Sequence, residues 1–374
     1  MCLGTDKPGL YIHVPFCRSK CPYCNFYSIA SISEGIIDKF LHGLSIEARY
    51  YQSVFPQPFD TIYIGGGTPT VLKERQLEEI FLCIDSCFSF IPYSEITIEA
   101  NPGDIDLNKA RFLRSLGINR ISLGIQSFND DILKFLGRRH TRDDAIRSFE
   151  ILRRAGFENI SIDLIYAIPG QSLLSWFKDL NTAVNLRPEH ISCYELTIEK
   201  KTIFWKKWKK GGLSLPKEEE KANFFIKTSS FLEKAGYIHY EVSNFAKEKD
   251  FISKHNSKYW THRPYLGLGP SAHSFDGKKR WWNFSSIKKY YNALKNDSLP
   301  LEGQEYLTDE MMRIEKIFLG LRTINGIKRH LILNISDELL DLLKKNGLII
   351  VKGDKIVPTK KGLSLADQLS LYLI

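Results

Sequence analysis

The chain has no apolar run long enough to cross a bilayer. Its N-terminus lacks the apolar h-region of a signal peptide. Cytosol is therefore the expected compartment, and the seven cysteines are expected to be reduced rather than paired. Those cysteines do not fall into the two pairs of a usual zinc site. A glycine-rich turn, Gly65, Gly66, Gly67 and Thr68, lacks both the lysine of a P-loop and the spacing of a dinucleotide fingerprint. No dense basic recognition helix marks a nucleic-acid binder. What remains is an ordinary globular composition, 43% apolar and 25% charged over 374 residues. That length allows one large domain with one or two small ones.

Three cysteines share one short stretch. Leu10 to Phe16 reads as a strand, and Cys17, Cys21 and Cys24 follow at once in a C-x3-C-x2-C spacing. Pro15 and Pro22 restrict the backbone, so local geometry gathers the thiolates. Three thiolates can hold three irons of a [4Fe–4S] cluster and leave the fourth iron open to a small molecule. Zinc is the alternative, with His13 turning back as a fourth ligand. Cys83 and Cys87, four apart in a helical pattern, and Cys193 in a strand read as core packing. Cys2 is uninformative.

Six strand–helix units follow one another before residue 200, the pattern of a parallel sheet with crossover helices. In such sheets ligands gather at the carboxyl ends of the strands. The unusual residues fall there: the cysteines after the first strand, the glycine turn after the second, Glu99 ending the third and Gln126 after the fourth. Asp163 lies within the fifth strand, where a charge needs a partner. Taken singly, each polar residue reads equally as a strand-end cap.

Taken together, the motifs resemble the coproporphyrinogen-oxidase-like branch of the radical S-adenosylmethionine (SAM) superfamily. They are Tyr-Ile-His-Val-Pro-Phe-Cys from Tyr11, Gly-Gly-Gly-Thr-Pro-Thr from Gly65, Glu-Ala-Asn-Pro from Glu99, Leu-Gly-Ile-Gln-Ser-Phe from Leu123 and Leu-Gly-Arg-Arg-His from Leu136. Ile-Asp-Leu-Ile-Tyr-Ala-Ile-Pro-Gly-Gln from Ile162 and Tyr-Glu-Leu-Thr-Ile-Glu from Tyr194 complete the set. The resemblance runs from residue 8 to about 365 and implies an α/β fold, a partial (β/α)6 TIM-like barrel. It implies that Cys17, Cys21 and Cys24 hold the cluster. It places Tyr11, Gly66, Gly67, Thr68, Glu99, Gln126, Arg138 and Asp163 around SAM, whose sulfonium the cluster reduces to release a 5′-deoxyadenosyl radical.

The pattern departs from the true oxidases at Phe26, where they carry a further cysteine. No N-terminal extension of the oxidase kind precedes the first strand. Both features point to the HemW-type relatives, implicated as haem chaperones. His255-Asn-Ser-Lys-Tyr-Trp260 resembles a motif of that branch associated with haem. His255 is then the implied haem ligand, with Tyr259 and Trp260 packing on the porphyrin and His262 and His273 as rivals.

Three segments are expected: residues 1–200 as the barrel core, 201–305 as an extension carrying the His255 motif, and 306–374 as a winged-helix-like domain. In the last, two amphipathic helices (307–321 and 337–346) precede a hairpin turning at Gly353-Asp354. A final helix spans residues 362–373. The net charge of +9 is partly clustered, with lysines around Phe204, Trp205 and Trp208 and basic residues ahead of Trp281 and Trp282. That is a solvated basic face, or a surface for an anionic partner or peripheral membrane contact. The expected function is haem delivery to haem-requiring proteins. The alternatives are an oxygen-independent coproporphyrinogen III oxidase and a radical SAM enzyme acting on nucleic acid.

Overall fold

The structure, a computed structural model, describes residues 7–30, 32–333 and 335–374. Cys2 and the first six residues of the expected core lie outside them. Six strands, β1 (Gly9–Val14), β2 (Phe59–Gly66), β3 (Phe90–Ala100), β4 (Arg120–Gln126), β5 (Ile160–Tyr166) and β6 (His190–Glu195), lie side by side in chain order. All five junctions between them are parallel. Their crossovers run through helices α1 (Glu34–Gln52), α2 (Glu74–Cys87), α3 (Leu107–Ser115), α4 (Asp130–Phe135), α5 (Arg142–Arg154) and α6 (Leu173–Asn185). The short α4 is absent from the sequence reading; the Asn129 side chain caps it and Leu133 is its one buried anchor.

The sheet does not stop at six strands. Beyond β6, after helices α7 (Ile203–Lys209) and α8 (Glu218–Lys234), strands β7 (Ile238–Glu241) and β8 (Asn244–Ala246) add antiparallel. At the other edge, after helix α9 (Lys254–Trp260), β9 (Tyr265–Leu268) pairs parallel with β1. Strands β10 (His273–Phe275), β11 (Lys279–Asn283) and β12 (Leu301–Tyr306) extend that edge antiparallel. The result is one open twelve-stranded sheet.

Helix α10 (Ile287–Lys295) lies between β11 and β12 and packs on α1. On α1 the apolar face, Ile37, Phe40, Leu41, Leu44, Ala48 and Tyr51, also carries Glu47, which is fully buried. Its carboxylate accepts hydrogen bonds from the Tyr290 hydroxyl (2.6 Å), Asn283 Nδ2 (2.6 Å) and the Gly269 amide (2.8 Å). One carboxylate thus joins α1 to the edge extension.

The carboxyl end has its own small core around Ile317, Leu340, Leu343 and Ile356. Helices α11 (Asp309–Gly320) and α12 (Asp337–Lys345) pack with a three-stranded sheet of β13 (Ile327–Lys328), β14 (Ile349–Lys352) and β15 (Lys355–Pro358). The expected single last helix is broken into α13 (Lys360–Leu363) and α14 (Ala366–Tyr372). Leu363 belongs to the main core, whereas Leu369 and Leu373 belong to the small one. One straight helix could not serve both. No helix among the described residues is long and apolar enough to cross a membrane.

The aromatic residues of the basic clusters divide. Phe204 is 1% exposed and Trp281 5% exposed, so both are core anchors rather than surface groups. Trp208 and the flanking lysines remain exposed.

Replacing Glu47 with alanine leaves these donors without their acceptor and opens a cavity. Urea denaturation is expected to show a loss of roughly 2–4 kcal/mol.

Candidate functional site

The cysteine loop is pinned at its root. Phe16 and Ile29 form a parallel bridge, with Cys17 N donating to Ile29 O (3.0 Å) and Ile29 N to Pro15 O (2.8 Å). Inside the loop Cys24 N donates to Cys21 O (3.2 Å). Pro22 packs on Gly137, and its carbonyl accepts from Phe204 N (2.9 Å). The loop is therefore held by the barrel and by α7 together.

The glycine turn lies against the same root. Gly67 N donates to Val14 O (2.8 Å) and Thr68 N to Phe16 O (2.7 Å). A Cβ on Gly67 would stand 2.5 Å from Phe16 O, so only glycine fits. Thr68 Oγ1 reaches Cys17 Sγ (3.6 Å) and accepts from Asn101 Nδ2 (2.8 Å). Arg138 spans the gap: its guanidinium donates to Cys21 Sγ (3.5 Å), the Gly124 carbonyl (2.7 Å) and Asn101 Oδ1. Of the residues singled out by sequence, Cys17, Cys21, Gly67, Thr68 and Arg138 thus form one bonded group, and Asn101 joins it.

The three thiols are partly buried. Burial raises Cys17 and Cys24 above the usual thiol range, so they need positive charge to ionise. Iron would supply it, and the donor set of three cysteines beside Arg138 fits an iron–sulfur cluster. Among the described residues no three His, Cys, Asp or Glu groups converge on a single-ion site. A zinc ion with Zn–S bonds of about 2.3 Å needs such convergence, whereas a cubane spreads its ligands to separate corners.

Inward-facing positions run across the strands in register. Tyr11 faces Tyr63, Thr97 faces Arg120, Glu99 faces Ser122, and Asp163 faces Ser192. Glu99 accepts from the Tyr63 hydroxyl (2.9 Å) and the Gly66 amide (3.0 Å). Asp163 accepts from Ser122 (2.7 Å) and Ser161 (3.2 Å). Burial pushes Glu99 up to about 7, with the Asp163 charge adding to the rise, and it raises Asp163 as well. Gln126 ends β4 with φ of +72°, a left-handed backbone uncommon outside glycine.

Sequence reasoning missed Tyr63, Arg120 and Tyr194 on this inner face. Their signal was alternation: Thr61, Tyr63 and Gly65 interleave with Ile62 and Ile64. Arg120 Nε and Thr97 Oγ1 are buried here without a hydrogen-bond partner, ends that a bound polar molecule would satisfy.

His255 is elsewhere. Helix α9 closes the other end of the barrel, where the strands begin. Glu95, in register with Thr61 of β2, accepts from the Lys254 and His255 amides (3.0 and 2.9 Å) at the helix N-terminus. Lys258, 2% exposed, pairs with Asp60 (2.7 Å) and donates to Lys7 O (2.8 Å). His255 is 1% exposed, and both ring nitrogens are engaged, by Thr61 Oγ1 and by the Tyr259 hydroxyl (2.9 Å each). His273 lies at the cysteine end, where its charge would bear on His13.

Glu47, Glu99 and Glu241 are each held up to about 7 by burial, from an ordinary 4.5. The unfolded chain ionises first, so their contribution to stability is full below the ordinary range and is lost as pH rises through about 7. Urea midpoints of the cluster-free protein are expected to fall between about pH 5 and about pH 8. Glu99→Gln is expected to flatten that dependence.

Residues 11–181 match the Radical SAM superfamily. A Bacillus subtilis protein named Heme chaperone HemW is 39% identical over 321 residues, covering 85% of this chain and 84% of that one. A Mycobacterium tuberculosis protein of the same name is 31% identical over 362 residues, covering 96% and 93%. A solved structure described as the radical SAM enzyme coproporphyrinogen III oxidase (HemN) from Escherichia coli superposes with a TM-score of 0.84 at 25% identity. It covers 98% of this chain and 90% of that one. Sustained over most of both chains, the likeness shows that this protein belongs to the Heme chaperone HemW family, within the radical SAM superfamily.

Proposed function

We propose that this chain is a haem chaperone that carries a [4Fe–4S] cluster on Cys17, Cys21 and Cys24, binds SAM beside it and delivers haem to haem-requiring proteins. The observation that carries the cluster and SAM part is the bonded junction of cysteine loop, glycine turn and Arg138. The haem part rests on family membership.

When bound, the cluster supplies one electron to the SAM sulfonium. The chain's own residues do the holding. Glu99 and Asp163 offer carboxylates to an amino group and hydroxyls, and Arg138 offers a guanidinium to a carboxylate. The Gly66–Thr68 turn lets a ligand approach the backbone, while Tyr11 and Gln126 complete the enclosure.

The likeness to the HemN structure favours a second reading, oxidative decarboxylation of coproporphyrinogen III. Against it, Phe26 stands where the oxidase pattern has a further cysteine, 68% exposed on the loop tip. Protoporphyrinogen formed from coproporphyrinogen III by the reconstituted protein would establish the oxidase.

After anaerobic reconstitution, the wild type is expected to show cluster absorption, and alanine at Cys17, Cys21 or Cys24 to abolish it. A full cluster in any of these variants would refute the ligand set. Haem titration followed by the Soret band is expected to saturate, and apo-haemoproteins to take the haem up. Absence of saturation would refute the chaperone.

A further inference from the structure

We infer that a buried hydrogen-bond chain, Tyr240–His190–Ser161, fixes the orientation of Asp163 and makes His190 a positioning residue for the SAM site. This rests on the reading above that sets Asp163 against SAM, and it names what aims that carboxylate. Ser161 lies two residues before Asp163 on β5, His190 faces Ser161 from β6, and Tyr240 is on β7. All three are buried. Ser161 Oγ stands 3.2 Å from Asp163 Oδ1 and 2.7 Å from His190 Nδ1, and His190 Nε2 stands 2.8 Å from the Tyr240 hydroxyl. The far end of the chain is anchored. Ile324 N donates to Tyr240 O (3.2 Å) and Val242 N to Arg322 O (2.9 Å), so β7 is held by residues of the carboxyl end as well as by β8.

The donors and acceptors give the chain a direction. A serine hydroxyl has one proton to donate. Ser161 gives it to the Asp163 carboxylate, so its oxygen accepts from His190 Nδ1. The imidazole proton is then on Nδ1, and Nε2 is an acceptor for the Tyr240 hydroxyl. Every donor in the chain points toward Asp163. Burial and the Arg120 charge push His190 well below its ordinary range, so the ring stays neutral and keeps this tautomer. The other oxygen of Asp163 accepts from Ser122 (2.7 Å). With donors on both oxygens the plane of the carboxylate is set, and its remaining lone pairs are left for the hydroxyls of a ligand. Without His190, the Ser161 hydroxyl can turn to Ser192 Oγ, 3.4 Å away, and Asp163 Oδ1 loses its fixed donor.

The test is calorimetric SAM titration of the full-length, anaerobically reconstituted protein, with cluster absorption and thermal melting read alongside. His190→Asn puts an amide N–H in the place of Nδ1–H and is expected to keep the affinity within about threefold of wild type. His190→Phe fills the space of the ring without a donor; it is expected to keep the cluster absorption and weaken SAM roughly tenfold or more. Ser161→Ala, the smallest change in the chain, is expected to weaken SAM by about the same factor and carries the test where His190→Phe does not fold. Thr228→Val removes a buried bond from Trp176 Nε1 (2.7 Å) between α6 and α8; it is expected to melt below wild type and bind SAM unaltered. Wild-type affinity in His190→Phe or Ser161→Ala overturns the positioning role. So does His190→Asn binding no better than His190→Phe, or an equal weakening in Thr228→Val. Failure of the wild type itself to bind SAM removes the SAM reading, and this role with it.

Discussion

Much of the site depends on one close approach, the Gly67 backbone against Val14 and Phe16. Two amide–carbonyl bonds fix the glycine turn to the root of the cysteine loop, and the 2.5 Å that a Cβ would have to Phe16 O leaves no room for another residue. From this contact the rest is positioned outward. Thr68 is carried to Cys17, Asn101 to Thr68, and Arg138 to Asn101 and Cys21. The cysteine loop and the polar groups beside it are thus set by the same few atoms. A shift of the turn would move both.

The barrel interior has an unusual cost. Arg120 and Glu241 are buried in it and Glu99 and Asp163 half-buried, and buried charge destabilises unless paired or neutralised. The carboxyls answer by resisting ionisation, held above their ordinary range by burial. An interior of this kind is poor for stability and good for a polar ligand, which finds donors and acceptors already in place. The apolar cost is recovered outside the strands, where residues such as Ile62, Ile98 and Ile121 pack under the helices in one continuous core.

The two ends of the barrel are built for different tasks. At the carboxyl ends of the strands stand thiols, glycines and Arg138. At the opposite end α9 closes the opening with a buried ion pair and a carboxylate on its N-terminus. The His255 motif is therefore structural in its visible contacts, whatever ligand it meets. The basic clusters are anchored rather than loose: Phe204 fixes α7 beneath the cysteine loop, packing on Tyr23 and Phe135, and Trp281 stacks on Tyr51 of α1.

By itself the sequence determined the six strand–helix units and the residues at their ends. Those signals are local: alternation within a strand, helical spacing after it, and turn residues between. The cysteine spacing and the glycine turn were legible for the same reason. Tertiary structure alone decided what lies far apart in the chain. Strand β9 joins β1 across more than two hundred residues of sequence, and four residues carry too little pattern to announce a seventh parallel strand. The break at Ser364–Leu365 exists because two cores compete for one amphipathic segment. His255 and His262 look alike as letters, seven positions apart. Only the folded chain gives one of them two partners and leaves the other a nitrogen without any, because hydrogen-bond satisfaction is settled by neighbours brought together through packing.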